Sequence, residues 1–497
     1  MLTPLEPEEF RAWREVCERA GYHDQGLLET LGPVEIPNRA GPEEPHFLYL
    51  TRRGRALDTL IRLFLLGAPV EREAAREALG EAPLKAGVRA GLLELGADGA
   101  VARVRLMPFR GLLLAVDQPG RPGVCERRDQ VMGLTGSTIA LANFTLRQAA
   151  RQTLDLGTGS GVQAFLAAGH SHAVLATDTS RRALEFAAFN AGLNGCPNVR
   201  LVEGDAFEPA RGQRFDLIVS NPPFAVSPAC RFLYRDSGLA ADGFARRLVS
   251  EAPPLLEEGG YCQVVCDWVH LAGQDWQERL AGWFQGSGCD VWVLRTATSE
   301  AGAYAHMWIR DTEHPGGEEA ARLHAEWMSY YAGEGIEAIS TGLMALRRRS
   351  ADANWVRFDE LPEGTSGPFG DAVVLGFRLR DFLEARREDA ALLEETFRLS
   401  PGLRLDQQCE WAEGAWRIQS AQLRLQRGLK FAGNVDRQAL ALLTRCDGRR
   451  RLKEALAELA AALGTDAGTI APQCLTLLRR LIERGYVLPA HWDAPPG

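Results

Sequence analysis

Apolar positions along the chain change their period from one region to the next. In residues 7–19 charged and apolar side chains mix at helical spacing, and Leu57, Leu60, Ile61 and Phe64 repeat the three-and-four step of a buried helix face. Short helices are predicted over 72–79 and 84–93, then a turn at 96–99 and a strand-like alternation over 101–106. Three short helices followed by a hairpin predict a winged-helix-like α+β module over 1–110. Such modules recognise nucleic acid or protein. Without a basic recognition helix, a packing or dimerisation cap is the stronger expectation.

Over 111–357 the pattern switches to apolar runs of strand length, at 153–156, 173–177, 199–202, 217–219, 261–266 and 291–294. Helical stretches such as 181–193 and 243–256 separate them. That rhythm predicts an α/β domain with a doubly wound, Rossmann-like parallel sheet. Residues 335–347 read as a returning edge strand after a helix at 318–331. A Gly/Pro linker at 362–368 opens a third part, 358–497. It holds a charged helix (382–399), two alternating strands (403–411 and 416–425) and three helices (438–446, 452–463 and 470–484). This order predicts a second winged-helix-like α+β module, and its ending over 483–488, ERGYVL, resembles PqqD-type peptide-binding domains.

Composition narrows the function. A length of 497 residues suits about three domains, and 46% hydrophobic with 24% charged residues is globular. A formal net charge of −9 disfavours a general nucleic-acid coat, while leaving room for a local basic patch. Lysine occurs only at Lys85, Lys430 and Lys453, and no GxxxxGK[ST] is present, so P-loop and Schiff-base chemistry are disfavoured. The ten cysteines form no CxxC pair, which fits a reducing, cytoplasmic setting without a structural metal. His170 and His172 flank Ser171 but have no further ligand at metal spacing. A charged beginning and the lack of an apolar run of ~18 residues argue against a leader and a membrane span.

The chemistry concentrates in the central part. Residues 153–161, TLDLGTGSG, take an apolar strand into a loop containing Gly157, Thr158, Gly159 and Gly161. Glycines there permit positive φ and let a ligand lie against bare backbone. The spacing is G-x-G-x-G rather than the dinucleotide fingerprint G-x-G-x-x-G, which disfavours a nicotinamide oxidoreductase. Asp155 precedes it, where a phosphate would be repelled and a cationic sulfonium or ammonium group welcomed. Asp178 ends the second strand, placed to accept hydrogen bonds from ribose hydroxyls. Asp205 follows the third strand, placed to meet an adenine amine, with Ala206 and Phe207 lining the base. Singly each acid is as readily a turn residue or helix cap; together they face one crevice at the carboxyl ends of a parallel sheet.

After the fourth strand stand Asn221, Pro222, Pro223 and Phe224. The prolines fix the backbone, so the Asn221 side-chain oxygen and the Pro222 carbonyl can accept both protons of a planar amino group. Phe224 offers a stacking face. Methyl transfer to such a nitrogen is an in-line displacement that needs alignment more than a strong base.

The motifs LDLGTGSG, ATD, EGDAF and NPPF resemble the class I S-adenosylmethionine-dependent methyltransferases, and within them the small amino-methyltransferase group that includes HemK/PrmC glutamine methyltransferases and ribosomal-RNA guanine methyltransferases. The resemblance covers about residues 125–310. It implies S-adenosylmethionine as cofactor, with Asp155 and the loop glycines on its methionine and sugar side, Asp178 on the ribose, Asp205 beside the adenine and Thr138 in a capping segment. It implies N-methylation of a macromolecule: a protein glutamine amide, as in a translation factor, or an RNA or DNA base amine. A non-catalytic scaffold is the alternative from another class. Tyr234, Arg235 and Asp236 read equally as substrate-side residues or a structural Arg–Asp pair. His306, Trp308 and Trp327 read as core, and Arg347–Arg349 as a solvated strand end.

Overall fold

The computed structural model describes residues 2–32, 44–97, 99–118, 127–313 and 316–492. They form two compact units, one of residues 1–142 and 148–359, the other of 143–147 and 360–497.

The first unit is built on one eight-stranded sheet. Its strands are β1 (Ala150–Leu156), β2 (Ser171–Asp178), β3 (Val199–Glu203), β4 (Phe215–Ser220), β5 (Leu256–Leu271), β6 (Cys289–Glu300), β7 (Ile336–Arg348) and β8 (Val356–Glu360). Their spatial order is β8-β6-β7-β5-β4-β1-β2-β3. The β1–β2, β1–β4, β2–β3 and β4–β5 pairs are parallel, whereas β7 runs antiparallel to both β5 and β6. The sheet is therefore Rossmann-like but mixed rather than wholly parallel. Strand β7 lies between two neighbours instead of at the edge expected for 335–347. Its run Leu343–Leu346 is buried at every position, so the strand is covered on both faces as well as paired on both edges. The order reverses at β1 and β4, and ligands of open α/β sheets bind in the crevice at such a point.

Helices α1 (Val162–Ala168), α2 (Arg181–Asn194) and α3 (Gly243–Glu251) connect the parallel strands. The Ser180 side chain caps α2 by accepting from the Ala183 N–H, and Gly195 ends it at φ 63°. Helices α4 (Ala301–Trp308) and α5 (Gly317–Glu334) lie between β6 and β7 and close a separate core around Tyr304, Trp327 and Tyr331.

The amino-terminal helices Pro7–Ala20, Arg72–Leu79 and Glu81–Ala90 and the hairpin Leu93–Gly96/Gly99–Ala102 share one hydrophobic core with Phe186, Phe189 and Leu193 of α2. Phe10 meets Phe189 edge to face at 5.1 Å, and Arg14 donates to the Leu193 carbonyl at 2.8 Å. Fully buried Asn190 exchanges two hydrogen bonds with the Ala115 backbone and donates to the Ser160 carbonyl at 2.9 Å. Asn190 thereby ties the strand Leu112–Asp117 to the glycine loop. Of the expected turn at 96–99, Asp98 lies outside the described residues.

In the second unit the charged segment expected as a helix over 382–399 divides. A helix runs Gly370–Glu384, a short one Asp389–Leu393, and Thr396–Leu399 is a strand. The helix starts earlier because Val373, Val374 and Phe377 already supply its buried face. Strand Thr396–Leu399 sits between Asp447–Arg451 and Val487–Pro489, and Leu403–Ala412, Ala415–Leu425 and Ala432–Asn434 form a second sheet.

Candidate functional site

A cavity of about 1050 Å³ opens at the carboxyl ends of β1, β2, β4 and β5. Its first wall is the glycine loop. Gly157, Gly159 and Gly161 adopt φ of 72°, 55° and 94°, and a Cβ built on Gly157 or Gly159 would stand in open space. Steric contact therefore does not require those two glycines; the left-handed backbone does. Gly161 is different, because a Cβ there would strike the Phe165 ring at 2.3 Å.

A buried acid, Asp155, and a half-buried one, Asp178, hold this loop. Asp155 Oδ2 accepts from Thr158 Oγ1 at 2.6 Å and from the Ala164 N–H at 2.9 Å. Burial pushes its carboxyl up to about 7, although those two bonds pull the other way. Asp178 accepts from the Gly159 N–H at 2.9 Å and the Ser180 N–H at 2.8 Å. Its pKa too is raised, by desolvation that outweighs these backbone bonds. Asp205 stands at the rim, exposed, and pairs with Arg247 of α3 at 2.9 Å. Ala206 next to it has φ 45°, a left-handed conformation that a non-glycine residue holds only when its surroundings enforce it.

The second wall carries the double-proline turn. Asn221, Pro222, Pro223 and Phe224 all line the cavity. Asn221 Nδ2 donates to Thr138 Oγ1 at 3.3 Å, while its Oδ1 is buried and accepts no hydrogen bond. A buried amide oxygen without a partner is costly, by about 1–3 kcal/mol, unless a ligand supplies the donor. The turn is held from behind: the Val226 N–H is met by Tyr304 Oη at 3.2 Å, and the Val226 carbonyl accepts from Tyr331 Oη at 2.7 Å. Arg235 and Asp236, each 1% exposed at the side chain, form a bidentate pair at 2.7 and 3.0 Å. Arg235 also reaches Thr312 Oγ1 at 2.6 Å. This pair braces the loop that follows the turn.

The expected residues Asp155, Gly157, Thr158, Gly159, Asp178, Asp205, Ala206, Thr138 and the NPPF tetrapeptide thus meet around one cavity. Gly161 starts α1 behind the loop, and Phe207 is 5% exposed in the core beneath β4 and β5, so neither lines it. His306 is exposed rather than in the core, because it falls on the outer side of α4. Arg347 donates to fully buried Asp290 at 2.7 Å and Arg349 pairs with it, so that basic run is turned inward and not solvated. His170 Nδ1 bonds the Gln148 carbonyl, and no group of three metal-binding side chains occurs among the described residues.

Three lining residues were not singled out from the pattern as site residues. Gln163 donates to the Thr138 carbonyl at 3.0 Å and keeps a buried Oε1 without a partner. Asp267 of β5, 2% exposed, accepts from Tyr304 Oη at 2.5 Å through Oδ2. The Thr341 hydroxyl also favours the charged form by hydrogen bonding to the carboxylate, while Oδ1 stays without a partner of its own. Trp308, edge to face with Phe224 at 6.4 Å, keeps a buried indole N–H without a partner. A lone acid inside the apolar run 261–271 was the available signal for Asp267.

The residues present fit S-adenosylmethionine: a bare-backbone loop, a carboxylate at each of three strand ends and no cationic side chain on the loop itself. Residues 134–274 match the family model described as methyltransferase small domain. Residues 19–103 and 376–489 match models described as domains of unknown function, DUF7059 and DUF7782. The chain is 35% identical over 178 residues to a release factor glutamine methyltransferase of Xylella fastidiosa, covering 33% of this chain and 56% of that protein. It is 36% identical over 176 residues to a ribosomal protein uL3 glutamine methyltransferase of Bradyrhizobium diazoefficiens, covering 32% and 54%. It is 32% identical over 148 residues to a tRNA1(Val) (adenine(37)-N6)-methyltransferase of Actinobacillus pleuropneumoniae, covering 28% and 62%. The chain thus spans little more than half the length of the first two. The central segment, residues 134–274, thus matches a methyltransferase small domain and is similar to glutamine methyltransferases over about a third of the chain.

Proposed function

We propose that the chain is an S-adenosylmethionine-dependent N-methyltransferase whose acceptor is the side-chain amide of a protein glutamine. The observation that carries this reading is Asn221 Oδ1, buried in the cavity wall without a hydrogen-bond donor, on a turn fixed by two prolines. An acceptor –NH₂ supplies the missing donor. Asn221 Oδ1 and the Pro222 carbonyl take its two protons, draw the nitrogen toward tetrahedral geometry and aim its lone pair. Phe224 and Trp308 bound the acceptor on its flat side. The cofactor supplies an electrophilic methyl group on sulfur. Gly157, Thr158 and Gly159 would hold its methionine part, Asp155 its positive charge, Asp178 its ribose, and Asp205 with Ala206 its adenine. No strong base is needed, because the proton leaves to solvent after the new bond has formed.

Glutamine methyltransferases among the relatives support the protein acceptor, and the acidic net charge agrees. The order of helices followed by a hairpin at 56–102, and of strand, two helices and strand at 447–489, supports winged-helix-like recognition modules on either side of the catalytic part. Among the described residues no helix is long and apolar enough to cross a membrane. The test is transfer of tritium from labelled cofactor to a size-fractionated extract of the source cells. Label lost to protease and kept after RNase supports the reading. Label lost to RNase and kept after protease contradicts it in favour of a nucleobase amine.

A further inference from the structure

Beyond Asn221, two unpartnered buried polar atoms face the same cavity, and they are complementary. Asp267 Oδ1 is an acceptor and Trp308 Nε1 a donor. Their placement follows from the sheet. Ser220, the residue before Asn221, pairs with Val264 of β5, and Asp267 lies three residues further along. At ~3.3 Å per residue that puts it roughly 10 Å beyond the end of β4, on the side where the double-proline turn emerges. Tyr304 joins the two places, since its hydroxyl contacts both Asp267 Oδ2 and the Val226 N–H. Trp308 comes from the same helix and packs on both Tyr304 and Phe224.

We infer that Asp267 and Trp308 form a subsite for the main chain of a peptide acceptor, Asp267 taking a peptide N–H and Trp308 giving a hydrogen bond to a peptide carbonyl. This rests on the proposed glutamine acceptor and deepens it. A peptide unit offers one donor and one acceptor side by side, the pair that Asp267 Oδ1 and Trp308 Nε1 lack. A nucleotide fits less well, because its phosphates would approach a buried carboxylate. Without an acceptor both atoms are desolvated and unsatisfied, so an acceptor that supplies both bonds is favoured over one that lacks either.

The experiment uses the full chain, S-adenosylmethionine and the capped pentapeptide acetyl-Ala-Ala-Gln-Ala-Ala-amide at pH 8. Trp308→Phe keeps the ring and removes the donor. Asp267→Asn keeps the shape and an acceptor oxygen, and Asp267→Leu removes both. The expected result is a tenfold or greater rise in KM for the peptide in Trp308→Phe, with kcat, S-adenosylhomocysteine affinity and melting temperature held; Asp267→Leu shows the same KM rise with S-adenosylhomocysteine affinity held but a shifted melting temperature, because Tyr304 loses its acceptor, and Asp267→Asn rescues KM in part. A second peptide, N-methylated at the glutamine main-chain nitrogen, should show the same KM rise with the wild-type chain and no further rise with Asp267→Leu. Unchanged KM in Trp308→Phe together with unchanged use of the N-methylated peptide overturns the subsite while the glutamine reading stands. A wild-type chain that methylates RNA and neither methylates nor binds the pentapeptide overturns both.

Discussion

The two walls of the cavity differ in how their polar atoms are satisfied. On the side proposed for the cofactor, Asp155 accepts from Thr158 Oγ1 of the loop and the Ala164 N–H of α1, and Asp178 accepts from the loop's Gly159 N–H and from the Ser180 N–H. On the acceptor side, Asn221 Oδ1, Asp267 Oδ1 and Trp308 Nε1 are buried and unmatched. Gln163 Oε1 on α1, beside Thr138, is unmatched as well. The first wall is therefore shaped in advance by its own bonds, and a ligand meets a finished cradle. The second wall is braced from behind by Tyr304, Tyr331 and Arg235, with its front bonds left open. A preformed cofactor cradle and an acceptor wall with unsatisfied groups is an arrangement in which acceptor identity is read by hydrogen bonds rather than by shape alone.

That contrast can be broken at its bracing. Arg235→Met should leave the buried Asp236 charge without its cation, although Ser227 and two backbone N–H groups still donate to it, and destabilise the fold by about 3 kcal/mol, measured as a loss in denaturant midpoint. A midpoint unchanged from wild type would show that the pair is not part of the wall's support. Asn221→Ala should lower turnover roughly 100–1,000-fold, as loss of one preorganised partner does, with S-adenosylhomocysteine affinity within about twofold. Turnover near wild type would remove Asn221 from the aligning role. Asp178→Ala should act on the other wall, weakening S-adenosylhomocysteine by about 1–3 kcal/mol in calorimetry, because the ribose loses its partner and the Gly159 N–H its support. Equal affinity would place the ribose elsewhere.

The smallest effect concerns pH. Asp155 and Asp267 are both pushed up to about 7 by burial, from an ordinary value of 3.8. Between those values the folded chain keeps protons that the unfolded chain has released. Stability therefore falls as pH rises toward 7, and the loss is complete above it. Asp155→Asn should flatten part of that slope, by about 2–4 °C in melting temperature between pH 5 and 8. An identical slope in wild type and variant would mean that Asp155 does not titrate in this range.

Much of the site was legible in the sequence because its chemistry is local. The glycine loop, Asp178 at a strand tip and the double-proline turn are each set by a few adjacent residues. What was not legible depends on contacts distant along the chain. Gly161 has the spacing of a loop glycine, yet what requires it in the structure is positive φ and close packing on Phe165 rather than ligand contact. Phe207 follows two cavity residues but turns under the sheet. Asp267 and Trp308 come from β5 and from an inserted helix, and only the return of β7 between β5 and β6 sets the inserted helices on the acceptor side. Strand β7 itself was recognised as a strand and misplaced at the edge, because a doubly covered strand and an edge strand differ in neighbours rather than in period.

The most direct test of the central claim is a crystal structure of the chain with S-adenosylhomocysteine and a glutamine-containing peptide. The account predicts the glutamine amide nitrogen within about 3 Å of both Asn221 Oδ1 and the Pro222 carbonyl, facing the cofactor sulfur. An acceptor nitrogen bound away from that turn, with Asn221 Oδ1 still lacking a donor, would contradict it.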